Sequence, residues 1–449
     1  MLSWELKCPH CGGPNNVAAD RYSLTCRYCG AGLWVKLPDS HTTLVARRRI
    51  DGREAVFAWD RHLKENGQAL SRSRRESRCI YLPFWKISTT LAVPKLMRRK
   101  RMSPATTYDG TEYSAQMRSY ETDEDSVEEL DWEIKPWDMT IPAFNDNDWG
   151  LASLGIRAET MPLTGWDRVE LGGFDTCWPR SVSESEALQR IGKTVNAMTR
   201  QGIGTVVGDC HLITPKLALV YWPLWVLGDR HDGGPRSVEI DAVSGRVIRD
   251  GAIDVEAIEV EQSVDAGVSP QLLPHRCVNC GQDLIADDRY VVFSCTNCQA
   301  MISHNSNGQR DVITVEFAAT DDEPRKYTWY PFWSFGDSSL LIPAFAIRNF
   351  RQLVRFSEIM SGQERGFHPL ERNQRLKGII GATLPSDAAT GFAKVVLERD
   401  QWQGILPRRR PASVDLSAGP KLVYAPLNRT GTELVDGVTG LCMPCSALD

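Results

Sequence analysis

The chain has 449 residues, enough for several domains with cores of their own. Hydrophobic residues at 42% and charged residues at 24% sit near the globular average and exclude wholesale disorder, collagen and coiled coil. With 52 Lys and Arg against 57 Asp and Glu, the net charge of −5 provides no overall field for drawing the chain onto nucleic acid or anionic lipid.

The first segment, Met1 to Lys7, lacks the basic start and apolar core of a secretory signal. The longest apolar stretch, Leu217 to Gly228, covers 12 residues and contains Pro223, whereas a helix needs about 20 to cross a bilayer. A cytoplasmic protein without a transmembrane segment is the expectation, and in that reducing compartment its 13 cysteines are not expected to form disulfides. Ten of them fall in five C-x-x-C pairs. Cys8 and Cys11 are followed after 14 residues by Cys26 and Cys29, and Cys277 and Cys280 after another 14 by Cys295 and Cys298. A C-x-x-C turn points both sulfurs into one hollow, and two such turns joined by a hairpin bring four thiolates into a tetrahedron suited to Zn²⁺. Asn15 to Ala18 and Arg21 to Thr25, around Ala19-Asp20, are the expected hairpin strands of the first set; Asp283 to Ala286 and Tyr290 to Ser294, around Asp287 to Arg289, are those of the second. Gly12, Gly30 and Gly281 each follow the second cysteine of a pair, where a positive φ lets the backbone pass the metal; the fourth position is Gln299.

These two stretches of about 22 residues resemble the zinc ribbons of the rubredoxin-like and transcription-factor-IIB type. The resemblance implies two Cys₄ sites, with ligands Cys8, Cys11, Cys26 and Cys29 in one and Cys277, Cys280, Cys295 and Cys298 in the other. Four thiolates close the coordination sphere, so the two zinc ions are expected to be structural. Iron in the same cage would instead make an electron carrier.

Past the first ribbon, Leu33 to Leu37 has the composition of a strand. Residues 44 to 101 hold 16 Lys or Arg against five acids, including Arg47 to Arg49 and Arg98 to Arg101. Residues 109 to 148 reverse this, with 13 acids against Arg118 and Lys135. A basic patch for phosphates is one reading, and self-neutralisation of a long hairpin or loop is the other. Ser183 opens a helix through a capping box with Glu186, its apolar face running through Leu188, Ile191, Val195 and Met198. Gly192-Lys193-Thr194 lies within that helix and lacks the first glycine of a phosphate-binding loop, and Gly202 to Gly208 has the wrong spacing for a dinucleotide fingerprint. Leu217 to Leu227 and Ser237 to Ile240 follow as strands, Val312 to Phe317 as a strand, and Phe350 to Met360 and Asp387 to Arg399 as helices. Cys442 and Cys445 form a fifth pair with no second pair to complete it.

Features recur in order. Tyr81 to Trp85 is echoed by Tyr330 to Trp333, Ile141 to Phe144 by Ile342 to Phe345, and Tyr221-Trp222-Pro223-Leu224 by Tyr424-Ala425-Pro426-Leu427. Asp241 to Gly245 and Asp436 to Gly440 close the two series as turns. Pro83 and Pro142 stand 59 residues apart but Pro331 and Pro343 only 12, which places an insertion of 47 near residues 93 to 140. Proline cannot donate to a ladder, so the strands at Pro83, Pro223, Pro331 and Pro426 are expected at sheet edges, at strand starts or bulged.

The expected fold is α+β and β-rich, an internal duplication in which each half is a Cys₄ zinc ribbon followed by an antiparallel-sheet unit with a few helices. The boundaries are ribbon 1 over 1–40, a first β-rich unit over 41–270, ribbon 2 over 271–310 and a second β-rich unit over 311–449. The expected function is a non-enzymatic adaptor or scaffold for protein partners. The alternatives are a nucleic-acid binder using residues 44–101 and a ribbon, and an enzyme whose dispersed site draws on Asp209, His211, His231 and Asp232.

Overall fold

The computed structural model describes residues 3–448 except 19–20, 38–40, 69–75, 101–125, 146–148, 150, 152, 155–162, 166–174, 201–204, 207, 232–233, 252–269, 306–307, 321–325, 337–339, 362–364, 370–377, 403–413 and 446–447. The turn at Ala19-Asp20, Asp232, most of the acidic run and most of Gly202 to Gly208 fall outside them. The first two cysteine pairs lie among strands β1 (Ser3–Lys7), β2 (Pro14–Ala18), β3 (Ser23–Thr25) and β4 (Gly32–Lys36). Strand β5 (Thr42–Ala46) leads to helix α1 (Gly52–Glu65), then to β6 (Glu76–Lys100), β7 (Ser126–Pro142), β8 (Leu163–Gly165) and β9 (Asp175–Cys177). Helix α2 (Glu184–Arg200) and β10 (Thr205–Val206) precede β11 (His211–His231), β12 (Gly234–Asp241) and β13 (Val247–Gly251). The next two cysteine pairs lie among β14 (Gln271–Pro274), β15 (Val292–Ser294), β16 (Met301–His304) and β17 (Arg310–Ile313). Next come β18 (Val315–Ala318), β19 (Thr328–Phe335), β20 (Leu340–Pro343), helix α3 (Phe350–Met360) and β21 (Phe367–Pro369). Helix α4 (Ser386–Trp402), β22 (Lys421–Thr430), β23 (Glu433–Asp436) and β24 (Cys442–Pro444) end the chain. The α+β, strand-rich expectation stands.

Two sheets dominate, one of eleven strands and one of seven, and their centres match strand for strand. In the first, β6 runs antiparallel to β11, β11 parallel to β5, and β5 antiparallel to β8. In the second, β19 runs antiparallel to β22, β22 parallel to β18, and β18 antiparallel to β21. Side-chain anchors match too. Trp85 Nε1 donates to the Val182 carbonyl at 2.9 Å, just before α2, and Trp333 Nε1 to the Leu384 carbonyl at 2.7 Å, just before α4. Ala143 N donates to the Pro83 carbonyl as Ala344 N does to that of Pro331, each at 3.0 Å.

The long apolar run in β11 is buried on both faces. Ala218, Val220, Trp222, Leu224 and Val226 enter one core, while Leu219, Tyr221, Trp225 and Leu227 enter a second beneath α1 and α2. Period-two alternation of apolar residues on both faces is what a central strand between two layers requires. In the second half β22 separates its cores likewise, with Leu422 and Tyr424 facing α4, and Val423, Ala425 and Leu427 facing Phe356 and Met360 of α3.

The four prolines correct the expectation of edges, starts or bulges, because all lie inside central strands. Pro83 pairs with Tyr221, and on its other side β9 covers Cys79 to Tyr81 while β7 begins its ladder at Phe84. Its carbonyl faces that side, and N and C=O of one strand residue point the same way, so the missing N–H meets the junction between two neighbours. Pro223 sits where β5 gives way to β12, Pro426 where β18 gives way to β23, and Pro331 between the Trp329–Ile379 bridge and β20. No ladder bond is lost at any of them.

Other expectations need adjustment. Val312 to Phe317 is two strands: β17 pairs with β16, and after Thr314 β18 joins the seven-stranded sheet. Met198 does not share the buried face of α2, which consists of Ala187, Ile191 and Val195; it is exposed. Helix α1 is absent from the sequence reading. Its signal is present: the Asp51 carboxylate accepts from the N–H groups of Arg53 at 2.8 Å and Glu54 at 2.9 Å, and the Glu54 carboxylate in turn accepts from Asp51 N. Ala55, Trp59 and Leu63 follow at helical spacing, all buried. Asp51→Ala is expected to lower stability by about 1 kcal/mol, read as a shift in urea midpoint; an unchanged midpoint would remove the cap from the account.

Candidate metal centres

Each cysteine pair lies in the turn of its own backbone loop. In the first module β1 pairs with β2 and β3 with β4, so the two pairs cap two separate hairpins. This corrects the expected pairing of Asn15–Ala18 with Arg21–Thr25: β2 and β3 turn outward to different partners. All four turns share one hydrogen-bond pattern. Gly12, Gly30, Gly281 and Gln299 donate to the carbonyls of Cys8, Cys26, Cys277 and Cys295 at 2.9 Å, each with a φ between 61° and 78°. Gln299 is the one non-glycine among them, and it takes the left-handed conformation at a steric cost of roughly 1–2 kcal/mol.

The sulfurs converge as the spacing predicts. Cys8 and Cys29 lie 3.8 Å apart and Cys11 and Cys26 3.8 Å; Cys277 and Cys298 lie 3.6 Å apart and Cys280 and Cys295 3.5 Å. Within each quartet all sulfurs lie within 4.8 Å of one another. A tetrahedron with metal–sulfur bonds of about 2.3 Å has edges of about 3.8 Å, whereas a disulfide would bring two sulfurs to about 2.05 Å. The donor set and its dimensions therefore fit a tetrahedral ion. Polar groups favour the thiolate at Cys26 and Cys298, whereas burial and neighbouring sulfurs push Cys277 up to about 11 and, against the Ala31 N–H, raise Cys29 as well. Burial pushes the Cys26 thiol up, but the N–H groups of Cys29 and Tyr28 and the Asn15 amide outweigh it and lower it to about 6. The Asn279 side chain, with the Ala300 N–H, brings Cys298 to about 6.

The two quartets do not stand apart. Strand β14, which leads into Cys277, adds to β4 of the first module with Leu273 opposite Trp34 and Pro274 opposite Leu33. Trp34 packs edge-on against His304 and lies 4.0 Å beneath the Arg310 guanidinium. His275 and His304 sit side by side, with ring centroids 5.5 Å apart. The joined modules then meet both halves. Leu6, Val17, Leu33 and Val35 enter the core of the eleven-stranded sheet, and Tyr22, Val291 and Val292 pack with Trp329 and Trp333 of the other.

The buried histidines give this junction an acid sensitivity. Burial, with repulsion from His275 and Arg310, holds His304 down at about 3. Between pH 6.5 and 3 the unfolded chain takes up a proton that the folded junction refuses, so stability is full above pH 6.5 and falls as pH falls. At pH 5 the loss is on the order of 2 kcal/mol. His304→Phe should flatten the acid limb of a stability–pH curve measured at fixed metal; an identical slope in both proteins would refute this.

The other sequence candidates do not converge. His211 Nε2 lies 2.9 Å from Glu398 Oε2 of α4, Asp209 accepts from Asn196 Nδ2, and Cys210 lies beside Thr199 of α2. His231 lies at the opposite end of the 21-residue β11 from His211. Cys442 is the first residue of β24 and Cys445 follows its end; neither belongs to a quartet, and among the described residues only the two quartets could hold a metal. Among the described residues the basic run is divided between the stretch after β5 (Arg47 to Arg49), α1 and β6, with Lys86 wholly buried. Its end faces the acidic run: the β6–β7 register sets Arg98 opposite Glu128 and Lys95 opposite Asp131, and Lys95 and Lys135 both ion-pair with Glu133. No described helix is long and apolar enough to cross a membrane. Scans against family models, curated proteins and solved structures return no match.

Proposed function

We propose that the protein is a non-enzymatic scaffold in a multi-protein assembly, built by internal duplication of a sheet unit and held together by two architectural Zn²⁺ ions. The observation that carries the reading is the position of two closed thiolate quartets within a joined pair of modules that touches the cores of both sheets. With four thiolates around each ion no position is open to water or substrate, so the metal contributes folding free energy and not chemistry. The ribbon-type assignment rests on the four equivalent turns. Duplication is supported by the matched strand order, the Trp85 and Trp333 anchors, and the Asp241 and Asp436 turns. Partner binding draws support from surface at the module tips, where Tyr28 and Val278 are exposed beside the ligand cysteines.

Metal analysis of the purified protein should return two zinc ions per chain, and iron in their place would overturn the architectural reading. In native extract the protein should elute well above its 50.3 kDa and keep that size through nuclease and 0.5 M salt treatment. Elution as a free chain would end the scaffold reading, and collapse on nuclease treatment would transfer the function to nucleic acid.

A further inference from the structure

We infer that the two metal sites form one thermodynamic unit, so that an ion bound at either quartet raises the affinity of the other. The inference rests on the metal reading above and goes beyond it, since two architectural ions could equally act independently. The physical link is backbone. Gly32, three residues after Cys29, accepts a hydrogen bond at 3.0 Å from the N–H of His275, two residues before Cys277. Strand β4 starts three residues after Cys29 and β14 stops three residues before Cys277, and because the two run antiparallel with Leu33 opposite Pro274, both ligand turns lie at the same end of the ladder.

The second hairpins are tied as well. Ser23 Oγ donates to the Asp287 carbonyl at 2.8 Å, and Arg21 bonds the Asp288 carbonyl at 3.1 Å and its carboxylate at 2.9 Å. Trp34 is buried against His304 and Arg310, and Gly308 approaches so closely that an added Cβ would lie 2.6 Å from the Val35 carbonyl. Each module supplies surface that the other buries. A Cys₄ module of this size has too small a core to keep that surface in shape without its ion. Loading one site therefore preforms the docking face of the other, and linkage makes the effect reciprocal.

Metal titration of the full chain, read by native mass spectrometry as populations with zero, one and two Zn²⁺, gives the product of the two stepwise binding constants. The same titration on C8S/C11S and on C277S/C280S gives each intact site alone. The wild-type product should exceed the product of the two single-site constants by tenfold or more. Trp34→Ala, which keeps all eight cysteines, should bring the ratio toward one, and Trp34→Phe should restore part of it. A ratio within twofold of one in wild type overturns the coupling while leaving two architectural ions in place. A wild-type chain that never takes up two ions removes the metal reading and the coupling together. Where a cysteine variant also loses deuterium-exchange protection in β6 and β11, the Trp34→Ala titration decides: a product of stepwise constants below that of wild type supports the coupling, and an equal one overturns it.

Discussion

Changing Cys26 or Cys295 to serine should unfold the module that carries it and reduce bound zinc. Both sulfurs are buried, and each is part of a hydrophobic cluster as well as a metal quartet, Cys26 with Leu33 and Val35, Cys295 with Leu284 and Phe293. Structural zinc in small modules is worth roughly 10–16 kcal/mol of folding free energy, far more than such a module's own core can supply. The expected readout is loss of deuterium-exchange protection at Leu33 to Val35 or at Val292 to Ser294, with a fall in the melting temperature of the whole chain because the modules touch both sheets. Cys442→Ser is the internal control and should leave zinc content and melting temperature unchanged, since Cys442 is exposed and outside both quartets. Retained protection in metal-free Cys26→Ser protein would remove the metal from the account of the fold.

Much of this centre was legible because its rule is local. A C-x-x-C turn and a 14-residue spacing fix which sulfurs meet, and the helix at Ser183 and that over Phe350–Met360 carry their own capping and periodicity. What could not be read is partner choice at long range. Nothing within Gln271 to Pro274 says that it will pair with β4, some 240 residues earlier, and the division of Val312 to Phe317 between two sheets follows from neighbours that the segment does not contain. The prolines mark the same boundary. Their missing N–H was a sound constraint, but the chain meets it by changing neighbours along a central strand, an arrangement visible only once the ladders are known. Helix α1 is legible from its capping box, but Arg53, Arg61 and Lys64 make its segment read as part of a charge run.

The clearest contrast between the two halves is Arg365. In the first half the Asp241 carboxylate closes its turn by accepting from Val243 N and Ser244 N, and accepts a further bond from Trp222 Nε1 at 3.2 Å. In the second half Ala425 stands where Trp222 would, and Asp436, which accepts from Val438 N and Thr439 N, lacks an indole. Arg365 takes that place: its Nη2 lies 2.7 Å from Asp436 Oδ2, with side-chain exposures of 1% and 0%. The pair is not a strong net stabiliser, since Arg365 Nε and Nη1 find no hydrogen-bond partner among the described residues and both ions lose their hydration. Breaking it is another matter. Arg365→Met leaves a buried carboxylate facing an apolar side chain and should cost about 3–5 kcal/mol, read as a lowered urea midpoint for the second-half sheet. Arg365→Met combined with Asp436→Asn removes both charges, keeps an amide oxygen for the turn, and should recover most of that loss. If the double variant is as unstable as Arg365→Met alone, the cost lies in packing around Met360 and Phe367 and not in an uncompensated charge, and the view of Arg365 as the stand-in for the Trp222 indole fails with it.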